Sequence, residues 1–452
     1  MKKTYCGACR GERGCTDCKK AAKAAEYTGL AQFYTENDVP DAVWQGATAS
    51  AGARSRQTVS SVTVQELLVA ADIGTTTLAF ACADGSGRVL ASYGMENPQR
   101  KTAADVIGRI DAALRGEREN LTNEIREALA KGFLFVLERA YAALREEGEP
   151  SERMEVRAAI AGNTTMQHLL LGYPVDGLAK APFVPYSVEG RELTFAALFS
   201  KTEACAELSE AVRRAKITVF PCLSAFVGGD VAAGAYALFP QVWEKKVSAA
   251  SQEGKVSDSG RQVRLLLDLG TNGELLLWTG DRVWGTAAAM GSAFEGGRFA
   301  YASDLFRLIA KAFREGAADE TGLLREPYFT QGYEGLLQED VREFQLAKGA
   351  LRAGIELLCA RAAVCPKAVD RVFVAGGIGQ FCQPEDLFTA GLLPGAFRGK
   401  TEFVGNSCIG GLLRYLKRRE TMLYCRGEIL NLAKEPEFEE AYYRFMNFEA
   451  GE

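Results

Sequence analysis

Histidine is almost missing from this chain: one residue, His168, among 452. A single imidazole cannot build a histidine-rich metal site, and a Ser-His-Asp hydrolase would have to use this one residue as its base. No uninterrupted apolar run nears the roughly eighteen residues that a membrane-spanning helix requires, and the start MKKTYCGACR holds no hydrophobic segment to act as a signal peptide. Positive charge is not in excess either, since 53 Lys and Arg face 58 Asp and Glu for a net charge of −5. That balance leaves no electrostatic footprint for nucleic acid. The expectation is a cytoplasmic protein with neither a membrane nor a nucleic acid as partner. An apolar share of 47% and a length for two or three domains leave ample core.

What is present is a pair of glycine turns that repeat each other. Leu68-Val-Ala-Ala-Asp72-Ile-Gly74-Thr75-Thr76-Thr77 and Leu265-Leu-Leu-Asp268-Leu-Gly270-Thr271-Asn272-Gly273-Glu274 each run from apolar residues into Asp, then Gly-Thr, then a second apolar run. Such a pattern predicts a β-hairpin whose tip can clamp phosphate: the glycine lets backbone N–H groups approach an anion, the Thr hydroxyls add donors, and the Asp supplies charge for a hydrated cation. A P-loop or a dinucleotide fingerprint would instead continue into a helix with Gly-Lys-Ser/Thr or GxGxxG. Further motifs follow in the same order in both halves. Ala158-Ala-Ile-Ala-Gly162-Asn163 and Phe226-Val227-Gly228-Gly229-Asp230 follow the first clamp, and Val372-Phe-Val-Ala-Gly376-Gly377-Ile-Gly379 and Val404-Gly405-Asn406-Ser407 follow the second. An ordered threefold correspondence implies an internal duplication, and hence two similar lobes facing a cleft.

Four of the twelve cysteines crowd the start as Cys6-x2-Cys9-x5-Cys15-x2-Cys18. Two such knuckles can converge on one metal centre, either an iron–sulfur cluster or a structural zinc, or they can remain an unligated tail. The other eight are scattered among apolar neighbours and read as small buried hydrophobes. A short helix and a polar, weakly periodic stretch then form a tether. A second polar stretch, Glu244 to Gln262, falls between the halves as a loop or hinge.

These signals divide the chain into a four-cysteine metal segment (1–20), helix and linker (21–63), a first lobe (64–243), an interlobe loop (244–262) and a second lobe (263–452). Helical periodicity marks Ala104 to Leu114, Glu124 to Arg145 and Ala347 to Ala363, the last leading into a strand at Arg371 to Ala375. Strands alternating with helices in two similar units argue an α/β fold with a mixed sheet in each lobe. His168, at a helix start, reads as a satisfied structural residue.

Asp-Ile-Gly-Thr-Thr-Thr, Gly-Asn-Thr-Thr-Met-Gln-His, Phe-Val-Gly-Gly-Asp, Asp-Leu-Gly-Thr-Asn-Gly-Glu, Gly-Ser-Ala-Phe-Glu295-Gly-Gly and Ala-Gly-Gly-Ile-Gly-Gln together resemble the reductive activators of corrinoid enzymes. These belong to the actin, heat-shock and sugar-kinase ATPase superfamily, with duplicated ribonuclease-H-like lobes and an interlobe nucleotide cleft. Smaller matches are Asn97-Pro-Gln99, Ala104-Asp105-Val-Ile-Gly-Arg109-Ile, Gln345-Leu-Ala-Lys348-Gly-Ala-Leu-Arg352-Ala-Gly and the ending Arg426-Gly-Glu-Ile-Leu to Phe445-Met. The resemblance spans about Val64 to Phe448. Two departures stand out. Relatives carry a plant-type ferredoxin domain and a middle domain ahead of the ATPase, where this chain has a four-cysteine segment and a tether. After Glu295-Gly-Gly they continue with Gly-Met-Arg-Ala, where this chain has Arg298-Phe-Ala-Tyr.

The resemblance implies an ATPase coupled to low-potential electron transfer, which returns a Co(II) corrinoid protein to Co(I) for a methyltransferase system. ATP, Mg2+ and an iron–sulfur cluster of the 4Fe-4S kind on Cys6, Cys9, Cys15 and Cys18, with zinc as the alternative, would be its cofactors. A corrinoid protein and a low-potential electron donor would be its partners, with a homodimer as a further expectation. Asp72 and Asp268 would hold magnesium through water, and Asp230 would orient the attacking water. Gly74, Thr75, Thr76, Thr77, Gly270, Thr271, Asn272, Gly273 and Glu274 would clamp phosphates, and Gly376, Gly377 and Gly379 would leave room for adenosine. Three rival functions are an activator of a 2-hydroxyacyl-CoA dehydratase-type iron–sulfur enzyme, a small-molecule kinase, and an ATP-binding interaction module without turnover.

Overall fold

The structure is a computed structural model and describes residues 64–147, 153–239, 262–270, 272–280, 282–291, 299, 302–330, 335–376, 382–419 and 427–448. The four-cysteine segment, the tether and all but the last residue of the polar stretch Glu244 to Gln262 lie outside them.

The described residues form two compact units, each built on a six-stranded mixed sheet. In the first, β1 (Val64–Ile73), β2 (Thr77–Asp84), β3 (Val89–Glu96), β4 (Arg153–Gly162), β5 (Arg191–Thr194) and β6 (Lys216–Val219) lie in the order β3-β2-β1-β4-β6-β5. In the second, β7 (Arg264–Leu269), β8 (Asn272–Trp278), β9 (Val283–Ala289), β10 (Arg371–Ala375), β11 (Thr401–Gly405) and β12 (Gly427–Ile429) lie in the order β11-β10-β7-β8-β9-β12. Without β5 and β12 the two sheets coincide: an antiparallel meander of three strands, with two parallel strands added beside its first. The duplication read from the motif order is therefore a duplication of topology. The additions differ, since β5 extends one edge antiparallel to β6 and β12 the opposite edge parallel to β9.

Central strands covered on both faces need continuous apolar sequence. Leu67 to Ala71 in β1 and Leu265 to Leu267 in β7 are fully buried and meet that need. Each unit has its own core, with Leu67, Val69 and Ile73 against Phe133 and Phe199 in one, and Leu265, Leu267 and Leu269 against Phe306 and Phe344 in the other.

In the first unit, α1 (Val106–Ala112) runs through a wide turn at Ala113–Glu117, where Gly116 takes φ of 109°, into the 30-residue α2 (Arg118–Glu147). The expected helices at 104–114 and 124–145 are thus joined, and the second starts six residues early. Two shorter helices, α3 (Thr164–Leu171) and α4 (Gly229–Leu238), follow β4 and β6. The second unit holds α5 (Ala302–Arg314) and α6 (Gln338–Arg361). Helix α6 begins nine residues before the expected 347, where the Leu337 N–H donates to the Asp340 carboxylate at 2.6 Å. The charged run Glu339, Asp340, Arg342, Glu343 hides the apolar pair Val341 and Phe344, both of which are buried.

Helix α7 (Ser407–Arg418) follows β11, yet from Cys408 it groups with the first unit. There Arg414 donates to Ala237 O at 2.6 Å, the Tyr415 ring packs edge-on 5.3 Å from Phe220, and Arg419 pairs with Glu66 at 3.2 Å. A Cβ on Gly411 would lie 1.8 Å from Ala233 O, so α7 and α4 touch backbone to backbone. The last helix, α8 (Phe438–Met446), docks on α6 in the second unit, where buried Lys348 donates to Phe445 O at 2.7 Å and Gln345 to Met446 O at 2.9 Å.

Cys82, Cys205, Cys222, Cys359, Cys382 and Cys408 are buried free thiols, as expected, whereas Cys365 is exposed and Cys425 lies outside the described residues. Among the described residues, no helix is long and apolar enough to cross a membrane.

The close approach at Gly411 predicts that Gly411→Ala destabilises by about 1–3 kcal/mol, since one methyl must push two helices apart. Gly354→Ala within α6, where the nearest atoms to a new Cβ lie at 3.6 Å, should be neutral or stabilising. Thermal melting of both variants checks this.

Candidate functional site

The hairpin β1–β2 pairs Asp72 with Ala79 and Ile73 with Leu78, which leaves Gly74, Thr75 and Thr76 as its tip. A Cβ on Gly74 would fall 2.5 Å from Thr77 O, so this turn closes only around glycine. Strand β4 runs parallel to β1 with Asp72 opposite Ala161 and Ile73 opposite Gly162. At Gly162 a Cβ would lie 2.7 Å from Ile73 O, and its absence lets the end of β4 rest against the hairpin. The chain then turns into α3 through Asn163, whose Oδ1 accepts from Met166 N at 3.0 Å and whose Nδ2 donates to Thr75 Oγ1 at 3.0 Å. One side chain both caps the helix and holds the Thr75 hydroxyl.

All three tip carbonyls are turned back into the protein. Gly74 O accepts from Asn97 Nδ2 at 2.9 Å, Thr75 O from Arg109 Nη2 at 2.6 Å, and Thr76 O from the Asn97 backbone N–H at 2.9 Å. In a trans peptide the N–H points opposite to the C=O. The N–H groups that follow these carbonyls are therefore directed away from the brace, as an anion site requires. Arg109 is fully buried, and burial pushes its guanidinium down to about 10, so it stays positive at neutral pH.

Helix α4 brings in the third element. A Cβ on Gly228 would fall 2.4 Å from Asn163 Cα, and one on Gly229 2.0 Å from Gln167 Nε2, so the two glycines let the helix start press onto the Gly162–Asn163 turn. Asp230 stands in its first turn, half-buried, with Oδ1 accepting from Val231 N at 2.8 Å. Asp72, Gly74, Thr75, Thr76, Thr77 and Asp230 are thus gathered in the first unit through Asn163 and Gly228.

The second unit repeats the frame. Gly270 N donates to Asn272 O at 2.9 Å across the tip, and Asp268 lies opposite Ala375 of β10. Gly376 has φ of 90°, and a Cβ there would fall 2.4 Å from Leu269 O, the contact that Gly162 makes with Ile73 O. Its N–H donates to Gly405 O at 3.0 Å. Two features differ. Glu274 faces Asp268 directly across the strands where the first hairpin has Ala79 opposite Asp72, and buried Ser407 opens α7 where Asp230 stands in α4. Asn272, Gly273 and Glu274 lie on β8. Thr271, Gly377, Gly379, Cys6, Cys9, Cys15 and Cys18 lie outside the described residues.

Among the described residues, no group of three or more His, Cys, Asp or Glu could hold a metal ion directly. His168 is buried in α3 with Nδ1 2.7 Å from Thr164 O, while Nε2 has no partner among the described residues, so the expected satisfaction is only half met. The motif order missed the roles of Asn97, Gln99 and Arg109. Their only signal was their presence among the smaller family matches.

Residues 67–239 match the family described as the RACo middle region, and residues 262–304 and 308–451 match the C-terminal domain of RACo, the ASKHA domain. The chain belongs to the reductive activators of corrinoid enzymes. It is similar to the corrinoid activation enzyme RamQ of Eubacterium limosum, at 24% identity over 83% of this chain and 69% of the relative. The solved reductive activator for corrinoid, iron-sulfur protein superposes with a TM-score of 0.62 at 23% identity, over 86% of this chain and 67% of that one. One expectation is corrected: the middle region is not missing, because the first unit is the segment that matches it. Its sheet repeats the strand order of the unit that matches the ASKHA domain.

Burial holds the His168 pKa below the ordinary histidine value. Below that ordinary value the unfolded chain takes up a proton that the folded chain refuses, so His168 lowers stability as the pH falls through about 6.5. Denaturant titrations from pH 7.5 to 5 should therefore show a steeper loss of stability in the wild type than in His168→Gln.

Proposed function

We propose that this chain is an ATP-dependent reductive activator that returns a Co(II) corrinoid protein to Co(I) for a methyltransferase system. The observation that carries the proposal is the junction of three elements in the first unit: a hairpin tip with its carbonyls turned inward, a glycine turn bound to it through Asn163, and a helix start bearing Asp230. Membership of the family supports the corrinoid side. In this proposal the tip residues 74–77 and 270–274 clamp phosphates, Asp230 orients the attacking water, and Gly376, Gly377 and Gly379 leave room for adenosine.

The donors near the first tip are carboxylate, hydroxyl and backbone groups, hard ligands that suit hydrated magnesium. Asp72 and Asp268 would hold it through water, and when bound it would neutralise phosphate charge. The four N-terminal cysteines are a thiolate set suited to an iron–sulfur cluster or to zinc, which metal analysis of anaerobically purified protein separates.

Reduction of the cobalt takes one electron from an external donor, and donors near −400 mV fall short of it. Each additional 59 mV costs about a factor of ten in the equilibrium constant. ATP binding or hydrolysis offsets this if it favours a conformation of the complex in which Co(I) is more stable. A cytoplasmic setting and a homodimer belong to the same proposal.

Asp72→Asn, Asp230→Ala and Asp268→Asn should each lower magnesium-dependent ATP turnover by about a hundredfold or more in folded protein. Normal turnover by Asp230→Ala would overturn its assignment. With a low-potential donor and the corrinoid protein, the visible spectrum should move from Co(II) to Co(I) only when ATP, donor and this chain are all present. Reduction at the same rate without ATP would overturn the proposal.

A further inference from the structure

Arg109 is a fully buried cation that the proposed mechanism does not use. Its Nε donates to Ala103 O at 3.1 Å, Nη1 to Gln99 Oε1 at 3.2 Å and to Met166 Sδ at 3.0 Å, and Nη2 to Thr75 O at 2.6 Å. Among the described residues it makes no ion pair, although a buried charge is ordinarily paired. Its four acceptors are neutral, so its field is not cancelled by a contacting carboxylate.

We propose that Arg109 is a positioning residue that charges and orients the first phosphate clamp: it holds the Thr75–Thr76 peptide by its carbonyl and so presents the N–H on the other side to a polyphosphate. This rests on the assignment of ATP above and deepens it. The guanidinium bonds to one end of a peptide whose other end faces the anion, and linked hydrogen bonds polarise one another. The positive charge thus reaches the ligand through one peptide group. The fork also fixes geometry, because Ala103, Gln99 and Thr75 are reached from three nitrogens of one plane, which an ammonium cannot do. Gln99 belongs to the device: its N–H donates to Asn97 Oδ1 at 3.0 Å, and its Nε2 to Leu121 O at 2.9 Å, so Asn97, Gln99 and Arg109 form one brace behind the tip.

The experiment is calorimetric titration of the full chain with ATP, ADP, AMP and adenosine. For Arg109→Met, affinity should fall in proportion to phosphate number, about ten- to a hundredfold for ATP and not at all for adenosine. Arg109→Lys should restore part of the ATP affinity. Gln99→Glu keeps Arg109 in place and sets a carboxylate against Nη1, so it should reproduce the phosphate-dependent loss, and it serves as the test if Arg109→Met does not fold. Unchanged ATP affinity in these variants, or an equal loss for ATP and adenosine, would overturn the positioning role while leaving the ATP assignment standing. A wild-type chain that binds ATP no more tightly than adenosine would overturn both.

Discussion

Everything at the two hairpin tips depends on one backbone contact. A strand that runs parallel to the hairpin must end where a glycine presses on the carbonyl that follows the hairpin aspartate, Gly162 on Ile73 O and Gly376 on Leu269 O. No residue with a Cβ fits at either place. Because the contact is between backbones, it recurs in two units whose side chains have diverged. It sets the turn after each parallel strand beside the aspartate, whatever those turns came to do later.

Around this shared frame the units have specialised. The first tip has all three carbonyls braced from behind and a carboxylate, Asp230, at the neighbouring helix start. The second has Ser407 at the corresponding helix start and sets two carboxylates, Asp268 and Glu274, directly opposite each other. Like charges so placed repel unless a cation or donor lies between them.

Helix α7 follows the last central strand of the second unit, yet it packs on α4 of the first. Gly411 permits the approach and Arg414 and Tyr415 hold it. Lys348 and Gln345 on α6, which donate to carbonyls at the end of α8, likewise belong to family matches that have no part in phosphate chemistry. They are places where helices meet at backbone distance or where a buried polar group satisfies a helix end.

Local pattern was enough for the hairpins, the strand at Arg371–Ala375 and the duplication itself. Alternation of apolar runs with Asp-x-Gly-Thr is a short-range signal, and the same motif order in both halves is legible without coordinates. Element boundaries were less so, since the apolar residues that begin α6 are masked by charged neighbours. Roles that depend on residues far apart in the chain could not be read: Arg109 meets Thr75, Asn163 meets both Thr75 and Gly228, and Gly411 meets Ala233 only after folding. By itself, the sequence determined which backbone turns would form and which chemistry each could offer. Only the tertiary structure decided which side chains brace them, because bracing depends on through-space distance and on burial, neither of which has a period along the chain.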